Sequence, residues 1–236
     1  MLRLTAHEIE GELKGLGSKT RAKSSERFFK TGKGQYGEGD VFFGVTVPKQ
    51  RIIAKKYATL SFKEIEKLLT NNVHECRLTA LLILIEQYKR GDEKSKIAIA
   101  KFYLTHTKWV HNWDMVDVSA PIILGNHLLK RNRKMLYALA RSKDVWERRI
   151  AIVSTFAFIR AGESEDTFSI ARLLLADSHD LIHKAVGWML REVGKRVSRS
   201  KLTHFIDSHI QHMPRTTLRY AVEHYPPEFR KDFLSR

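Results

Sequence analysis

Three side chains within residues 108–121 have the types and spacing to act on a positively charged group. Trp109, Trp113 and Asp117 follow one another at intervals of four residues, and residues so spaced on an α-helix share one face. A carboxylate beside indole rings loses hydration, so it needs a compensating cation or donor. A sugar that becomes oxocarbenium-like would supply that charge, and the indole faces would add cation–π attraction of roughly 0.5 to 2 kcal/mol. The alternative interpretation is structural, with both tryptophans in the core and the carboxylate capping or ion-pairing a neighbouring helix.

The elements that hold these residues are predicted to be helices. The chain has 236 residues and only five prolines, and its apolar residues recur at helical spacing with few alternating runs. Its hydrophobic fraction of 43% is enough for one substantial core. We therefore predict an all-α chain that forms a single domain over residues 1–236.

A basic residue followed by small and apolar residues recurs along the chain, at Arg77, Arg149, Lys184 and Arg219. The last three are spaced by about 35 residues, a typical length for two-helix repeats. Such helix pairs stack into a curved α-solenoid, so we predict HEAT-like helical repeats. Basic residues that all faced the concave side would form a basic groove suited to a phosphate backbone. Alternatively, each of them simply lies on a solvated helix face.

Residues 31–44 interrupt the helical pattern. Their sequence, TGKGQYGEGDVFFG, contains five glycines, which predicts a long ordered loop instead of a helix. Gly32 and Lys33 do not form a nucleotide-phosphate loop, because Gly34 occupies the position where that motif requires serine or threonine.

The charge of the chain indicates a polyanionic partner. Lysine and arginine number 42 against 26 aspartate and glutamate, which gives a formal net charge of +16. The charge is spread along the whole sequence, and this distribution favours nucleic acid over a membrane surface. Charge as early as Arg3 is not typical of a signal peptide, so we expect a cytoplasmic protein that does not bind membranes.

The cysteine and histidine content predicts no metal site and no other cofactor. Cys76 is the single cysteine, which excludes an internal disulfide and a cysteine-based zinc site. None of the histidines forms an H-E-x-x-H pattern, and His209 with His212 provides too few ligands for zinc. We expect most histidines to be solvated, or to contact nucleic acid when protonated.

Four sequence blocks resemble one known family. Residues 113–117, WDMVD, are similar to the W-D-x-V-D motif of the AlkD-type DNA alkylation repair glycosylases, which are HEAT-like-repeat alkylpurine DNA glycosylases. Three further blocks agree in order: FGVTVPKQR at 43–51 with G-[IV]-x-x-P-x-x-R, VWERRIAI at 145–152 with W-x-x-R-A-A-I, and IHKAVGWMLRE at 182–192 with K-A-[IV]-G-W-x-L-R-E. The resemblance extends over about residues 28–225. The glycine-rich segment departs from it, being longer than the short turn of the family.

The resemblance implies roles for individual residues. Asp117 would be the catalytic carboxylate, and Trp113 and Trp188 would contact the lesion-bearing deoxyribose. Arg149 would hold a backbone phosphate near the lesion. Further basic contacts to the DNA backbone are implied at Arg51, Lys55 and Arg191, beside Arg77 and Lys184 from the repeat pattern. Considered singly, Trp188 is typical of a core tryptophan and Arg149 of a surface ion pair.

The leading prediction is therefore a monofunctional, metal-independent DNA glycosylase that acts as a monomer. It would hydrolyse the N-glycosidic bond of cationic N3- or N7-alkylpurines in double-stranded DNA and leave an abasic site. The alternative is a non-catalytic HEAT-like-repeat protein that binds distorted or branched DNA. A protein scaffold is the third hypothesis, which the net charge of +16 disfavours.

Overall fold

Helices make up the regular structure of this chain. The computed structural model describes residues 4–236, so the early charge at Arg3 lies outside the described residues. Over the described range the regular elements are helices, with one isolated β-bridge between Val41 and Val73. The predicted all-α class is confirmed. The helices belong to two compact units, Met1–Ser119 and Ala120–Arg236.

The first unit is built around a long central helix, α5. Its helices are α1 (Ala6–Gly15), α2 (Lys19–Phe28), α3 (Val47–Lys56), α4 (Phe62–Leu69), α5 (His74–Arg90), α6 (Glu93–Thr105) and α7 (Trp113–Ala120), with a 3₁₀ turn at Thr107–Trp109. Helix α5 is buried over most of its circumference from His74 to Ile85, as expected of a helix surrounded by others. Helices α3, α4 and α6 pack against it.

The second unit is built in the same way around α13. It begins with a π-helical turn at Pro121–Gly125 and continues with α8 (Asn126–Leu128), α9 (Lys134–Ala140), α10 (Val145–Ser154), α11 (Phe156–Arg160), α12 (Glu165–Leu174), α13 (Asp180–Arg196), α14 (Arg199–His209), a 3₁₀ turn at Ile210–His212, α15 (Arg215–Ala221) and α16 (Pro227–Ser235). Helices α10, α12, α14 and α15 pack against α13.

The sequence repeat corresponds to successive packed helices of the second unit. Arg149, Lys184 and Arg219 lie at equivalent places, in the second turn of α10, α13 and α15. Helix α10 packs on α13, and α13 packs on α15. This arrangement is compatible with an α-solenoid-like repeat fold. Whether the basic residues line a common groove remains a prediction.

The glycine-rich segment forms no helix. Gly34, Gly39 and Gly44 adopt positive φ angles of 75°, 87° and 77°, a region of backbone conformation that favours glycine. Gly44 is also sterically constrained, because a Cβ there would lie 2.3 Å from the carbonyl oxygen of Ser18.

Among residues 4–236, no helix combines the length and hydrophobicity that crossing a lipid bilayer requires. Cys76 is fully buried in α5, and burial raises the pKa of its thiol to about 12.

The packing of α13 on α15 generates a stability prediction. A Cβ on Gly187 would lie 2.5 Å from Cβ of Tyr220 and 2.6 Å from the carbonyl oxygen of Thr217. Gly187→Ala must therefore push the two helices apart, and we expect it to lower the free energy of unfolding by about 1–3 kcal/mol. Urea denaturation measures the change.

Gly11→Ala is the matched control, because nothing lies within 4 Å of a Cβ on this glycine inside α1. It should leave stability unchanged or raise it by up to about 1 kcal/mol. Equal effects of the two substitutions would contradict the proposed close approach of α13 and α15.

Candidate active site

Trp113 and Asp117 lie one turn apart on helix α7, and both are half-buried. The helix begins where Oδ1 of Asn112 accepts a hydrogen bond from the backbone N–H of Trp113 (2.8 Å). Trp109 is not on this helix. It ends a separate 3₁₀ turn, Thr107–Trp109, so the expectation that all three residues share one helical face is wrong. The described geometry thus pairs the carboxylate with one indole on α7.

The rings of Trp113, Phe28, Phe29 and Phe42 pack together, and we call these four residues the aromatic wall. The indole stacks on Phe29, with ring centroids 5.4 Å apart and planes at 26°, and it meets the edge of Phe28 at 5.6 Å. Phe29 in turn stacks on Phe42 at 5.3 Å. Phe28 is 64% exposed, an unusual position for so large an apolar side chain. The wall therefore fixes Trp113 and presents an aromatic surface to solvent.

The charge of Asp117 acts on a buried neighbour, Tyr103. The Tyr103 hydroxyl hydrogen-bonds Oγ of Ser119 at 3.0 Å. Burial raises the pKa of this hydroxyl above its ordinary value against the effect of the Ser119 hydrogen bond, and the negative charge of Asp117 adds a smaller increase. Asp117 thus exerts its field inside the first unit, where screening by water is weak.

A buried imidazole connects the glycine-rich segment to α7. Nδ1 of His74 lies 3.1 Å from Oδ2 of Asp40, and its Nε2 lies 2.8 Å from Oδ2 of Asp114. Both ring nitrogens face carboxylates, so both must donate, and the ring is an imidazolium. We call these three residues the His74 clamp.

The titration of the clamp agrees with this geometry. Burial opposes the charge on His74, but the hydrogen bonds to Asp114 and Asp40 outweigh it and raise its pKa to about 9. Burial also opposes the charge on Asp40, whose pKa is nevertheless held well below its usual range by hydrogen bonds from His111 and His74 and by the charge of Arg77. His74 and Asp40 are therefore both charged at neutral pH.

The turn at the end of the glycine-rich segment is fixed by Glu75. This carboxylate is 2% exposed and accepts hydrogen bonds from three successive backbone N–H groups, those of Phe43 (3.0 Å), Gly44 (2.7 Å) and Val45 (3.1 Å). Such a nest of amides is a strong anion site, and here a side chain of the same chain fills it.

A cavity of about 460 Å³ lies beside these residues in the first unit. Its walls include Phe28, Phe29 and Phe42, together with His74 and Asp114. Helix α2 forms one side. This helix has no buried residue, and its basic side chains, with that of Lys30 just beyond its end, are exposed at Lys19, Arg21, Lys23 and Arg27. The first unit thus places an aromatic cavity next to a cationic helix.

The second unit contains Arg149 and Trp188 on packed helices. Arg149, on α10, is 5% exposed and donates from Nη1 to the carbonyl oxygen of Leu181 at 2.5 Å, in the first turn of α13. Trp188, on α13, is half-buried, and its ring centroid lies 6.0 Å from that of Phe156. Their predicted roles toward DNA remain predictions.

The remaining basic residues predicted to bind DNA differ in exposure. Arg51 and Lys55 are exposed on α3. Lys184 is partly exposed and pairs with Asp180 at 2.7 Å. Arg191 is ion-paired with Glu192 at 3.3 Å and with Glu223.

Arg77 departs from its predicted role. It is 2% exposed, with Nη2 2.6 Å from Oδ1 of Asp40 and Nη1 2.8 Å from the carbonyl oxygen of Asn71. Its charge is used inside the first unit to balance Asp40, and this burial argues against a contact between Arg77 and DNA. We therefore omit Arg77 from the proposed interface.

Sequence reasoning missed the His74 clamp. His74 is 2% exposed, unlike the solvated histidines that we expect on average. One signal was present, because Asp114 lies inside the WDMVD block. Within residues 4–236, no group of three or more histidine, cysteine, aspartate or glutamate side chains is placed to hold a metal ion.

Comparison with known proteins identifies the family. A solved structure of a predicted DNA alkylation repair enzyme from Enterococcus faecalis has a similar fold, with a TM-score of 0.69 and 15% identity over 89% of this chain and 97% of that one. At this identity the similarity shows the fold alone. No curated protein sequence matches the chain. The profile of the DNA alkylation repair enzyme family matches residues 9–225, and the chain therefore belongs to that family.

The His74 clamp predicts how stability depends on pH. The pKa of His74 is raised from its ordinary 6.5 to about 9, so its contribution is complete below pH 6.5 and disappears as the pH rises through 9. We expect the free energy of unfolding to fall by up to about 3 kcal/mol across this interval. Urea denaturation at a series of pH values measures it.

His74→Gln should abolish this decline, because glutamine does not titrate. The control is His106→Gln, which replaces a half-buried histidine whose Nε2 lies 3.2 Å from Oε1 of Glu66. This variant should retain the decline of stability with pH. A wild-type free energy of unfolding that is constant from pH 6.5 to 9 would argue against a charged His74.

Proposed function

We propose that this protein is a DNA glycosylase that hydrolyses the N-glycosidic bond of cationic N3- and N7-alkylpurines in duplex DNA and leaves an abasic site. One observation carries the proposal: in a member of the DNA alkylation repair family, Asp117 lies half-buried one turn from Trp113 on α7. The family name alone would fit several repair chemistries. The carboxylate beside an indole favours a reaction whose transition state is a sugar cation.

The proposed reaction needs one carboxylate. The bond between C1′ and the purine nitrogen breaks with both electrons passing to the base, whose positive charge is thereby neutralised, so no strong general acid is required. Asp117 stabilises the positive charge that develops on the deoxyribose. It also orients a water molecule, whose oxygen bonds to C1′ while its proton is released to the carboxylate or to solvent.

The family resemblance also implies contacts to the sugar and to a phosphate. Trp113 and Trp188 contact the deoxyribose, as the family resemblance implies. The same resemblance implies that Arg149 binds a phosphate near the lesion. The support for Trp113 is the aromatic wall that fixes its ring.

The catalytic prediction concerns Asp117→Asn. Asparagine keeps the size of the side chain but removes the charge, so we expect release of 7-methylguanine and 3-methyladenine from methylated duplex to fall by about 10²–10³-fold. Single-turnover release is measured by chromatography, and binding to undamaged duplex should stay within about twofold.

Asp207→Asn is the control, because this aspartate lies on α14 and pairs with Arg236 at 2.8 Å in an exposed position. It should excise like the wild type. If Asp117→Asn does so as well, Asp117 has no part in catalysis. If the wild type binds DNA yet releases neither base, the alternative of a non-catalytic DNA-binding protein is favoured.

The DNA-binding prediction concerns Arg51 and Lys55, which are exposed on α3. Each cation that neutralises a phosphate contributes about 0.9 to the slope of log Kd against log salt concentration. We expect the double variant Arg51→Gln/Lys55→Gln to reduce that slope by almost two and to weaken binding at low salt.

Lys63→Gln/Lys101→Gln removes the same charge from exposed positions on α4 and α6. It should reduce the slope much less. Equal reductions in the two double variants would show that DNA responds to the overall charge and not to this surface of α3.

A further inference from the structure

Asp114, the first aspartate of the WDMVD block, makes two hydrogen bonds. Asp114 contacts the ring of His74 through Oδ2 (2.8 Å) and its own helix through Oδ1, which accepts from the N–H of Met115 (2.9 Å). Asp117 lies three residues further along α7. Two carboxylates so spaced repel one another unless one of them is neutralised.

We propose that His74 is a positioning residue for the excision reaction. By pairing with Asp114 it fixes the first turn of α7, and through that turn it fixes the position from which Asp117 meets the deoxyribose. This inference rests on the proposed function, because it concerns the orientation of the proposed catalytic carboxylate.

The geometry of α7 explains why such a contact is needed. The end of α7 at Ala120 continues directly into the π-helical turn Pro121–Gly125 and α8, so the end that a side-chain contact must hold is the first turn, at Trp113. Residues 110–112, which precede it, form no helix. At its first turn, the clamp ties it to Asp40 in the glycine-rich segment and to the first residue of α5.

The same imidazole also supports Trp113. Its ring lies 4.7 Å from the rings of both Phe29 and Phe42, and Phe29 stacks on Trp113. A cation against aromatic faces is attractive. The protonated ring therefore supports the proposed sugar-binding indole through Phe29 and contacts α7 through Asp114.

Other charged groups around His74 do not prevent its protonation. Asp40 and Asp114 face its two nitrogens, while Arg77 and Glu75 lie on its own helix. His111, which precedes α7, contacts Asp40 at 3.3 Å, and Arg21 of α2 lines the same cavity as His74. Arg77 opposes the protonation of His74 through its charge, but the two carboxylates that hydrogen-bond the ring prevail.

A test that does not depend on excision uses 5-fluorotryptophan. The chain has four tryptophans, so each ¹⁹F resonance can be assigned by a single Trp→Phe variant. In the wild type, the Trp113 resonance should shift with a midpoint near pH 9, whereas that of Trp146, on α10, should not. In His74→Gln the shift with pH should disappear and the Trp113 resonance should move at neutral pH.

The second readout is the single-turnover excision rate. His74→Gln should lower it by about 10–100-fold, since a displacement of about 1 Å in a site can cost 10² in rate. Affinity for undamaged duplex should change less than twofold. Because both substitutions break the same contact, His74→Gln/Asp114→Asn should be no slower than His74→Gln. His106→Gln serves as the control.

The outcomes separate the two proposals. A Trp113 resonance that is insensitive to pH in the wild type and to His74→Gln overturns the positioning role, whether or not excision occurs. Full excision by His74→Gln also overturns it. A wild type that shows the ¹⁹F transition but releases no alkylated base supports the coupling between His74 and α7 while it refutes the glycosylase. If His74→Gln does not fold, the pH titration of the wild type still decides.

Discussion

A buried imidazolium held between two carboxylates is the interaction on which the first unit depends. Burying isolated charges is very costly, so such a group persists only where every charge has a partner. Here Asp40 and Asp114 are negative, His74 and Arg77 are positive, and the four side chains balance one another. Removing any one of them leaves a buried charge uncompensated. The network therefore behaves as one structural unit that joins a loop, the start of α5 and the start of α7.

This network also explains how a segment with five glycines adopts one conformation. Glycine increases the conformational entropy that is lost on folding, so residues 31–44 need specific contacts. Asp40 enters the clamp, and Glu75 binds the three N–H groups around Gly44. The two residues that hold the segment, His74 and Glu75, both lie in the first turn of α5. The charges of Asp40, Asp114, His74 and Arg77 cancel one another, so they do not account for the excess positive charge of the chain, which is exposed on helices such as α2 and α3.

The sequence predicts the helices well, because the apolar periodicity of segments such as α13 depends only on local residues. The sequence is less informative about the positions at which a helix is interrupted. Trp109 is assigned to the wrong element because residues 110–112 contain no proline or glycine to mark the interruption, although Asn112 is a good N-cap residue. Arg77 illustrates a second limit. The repeat locates it in its helix, but α5 is buried on nearly all sides, so its position in the repeat does not decide whether it faces solvent.

The partners of buried charges are the part of the site that local sequence cannot reveal. Asp40 is 37 residues from Arg77 and 34 from His74, and Asp114 is 40 residues from His74. Only the fold brings them together. Once they are paired, the W-D-x-V-D block divides into two functions: Asp114 holds the helix in place, and Asp117 carries the charge proposed to meet the sugar. A relative that kept the first aspartate and lost the second would retain α7 and its aromatic wall, but it would lack the charge that the proposed chemistry requires.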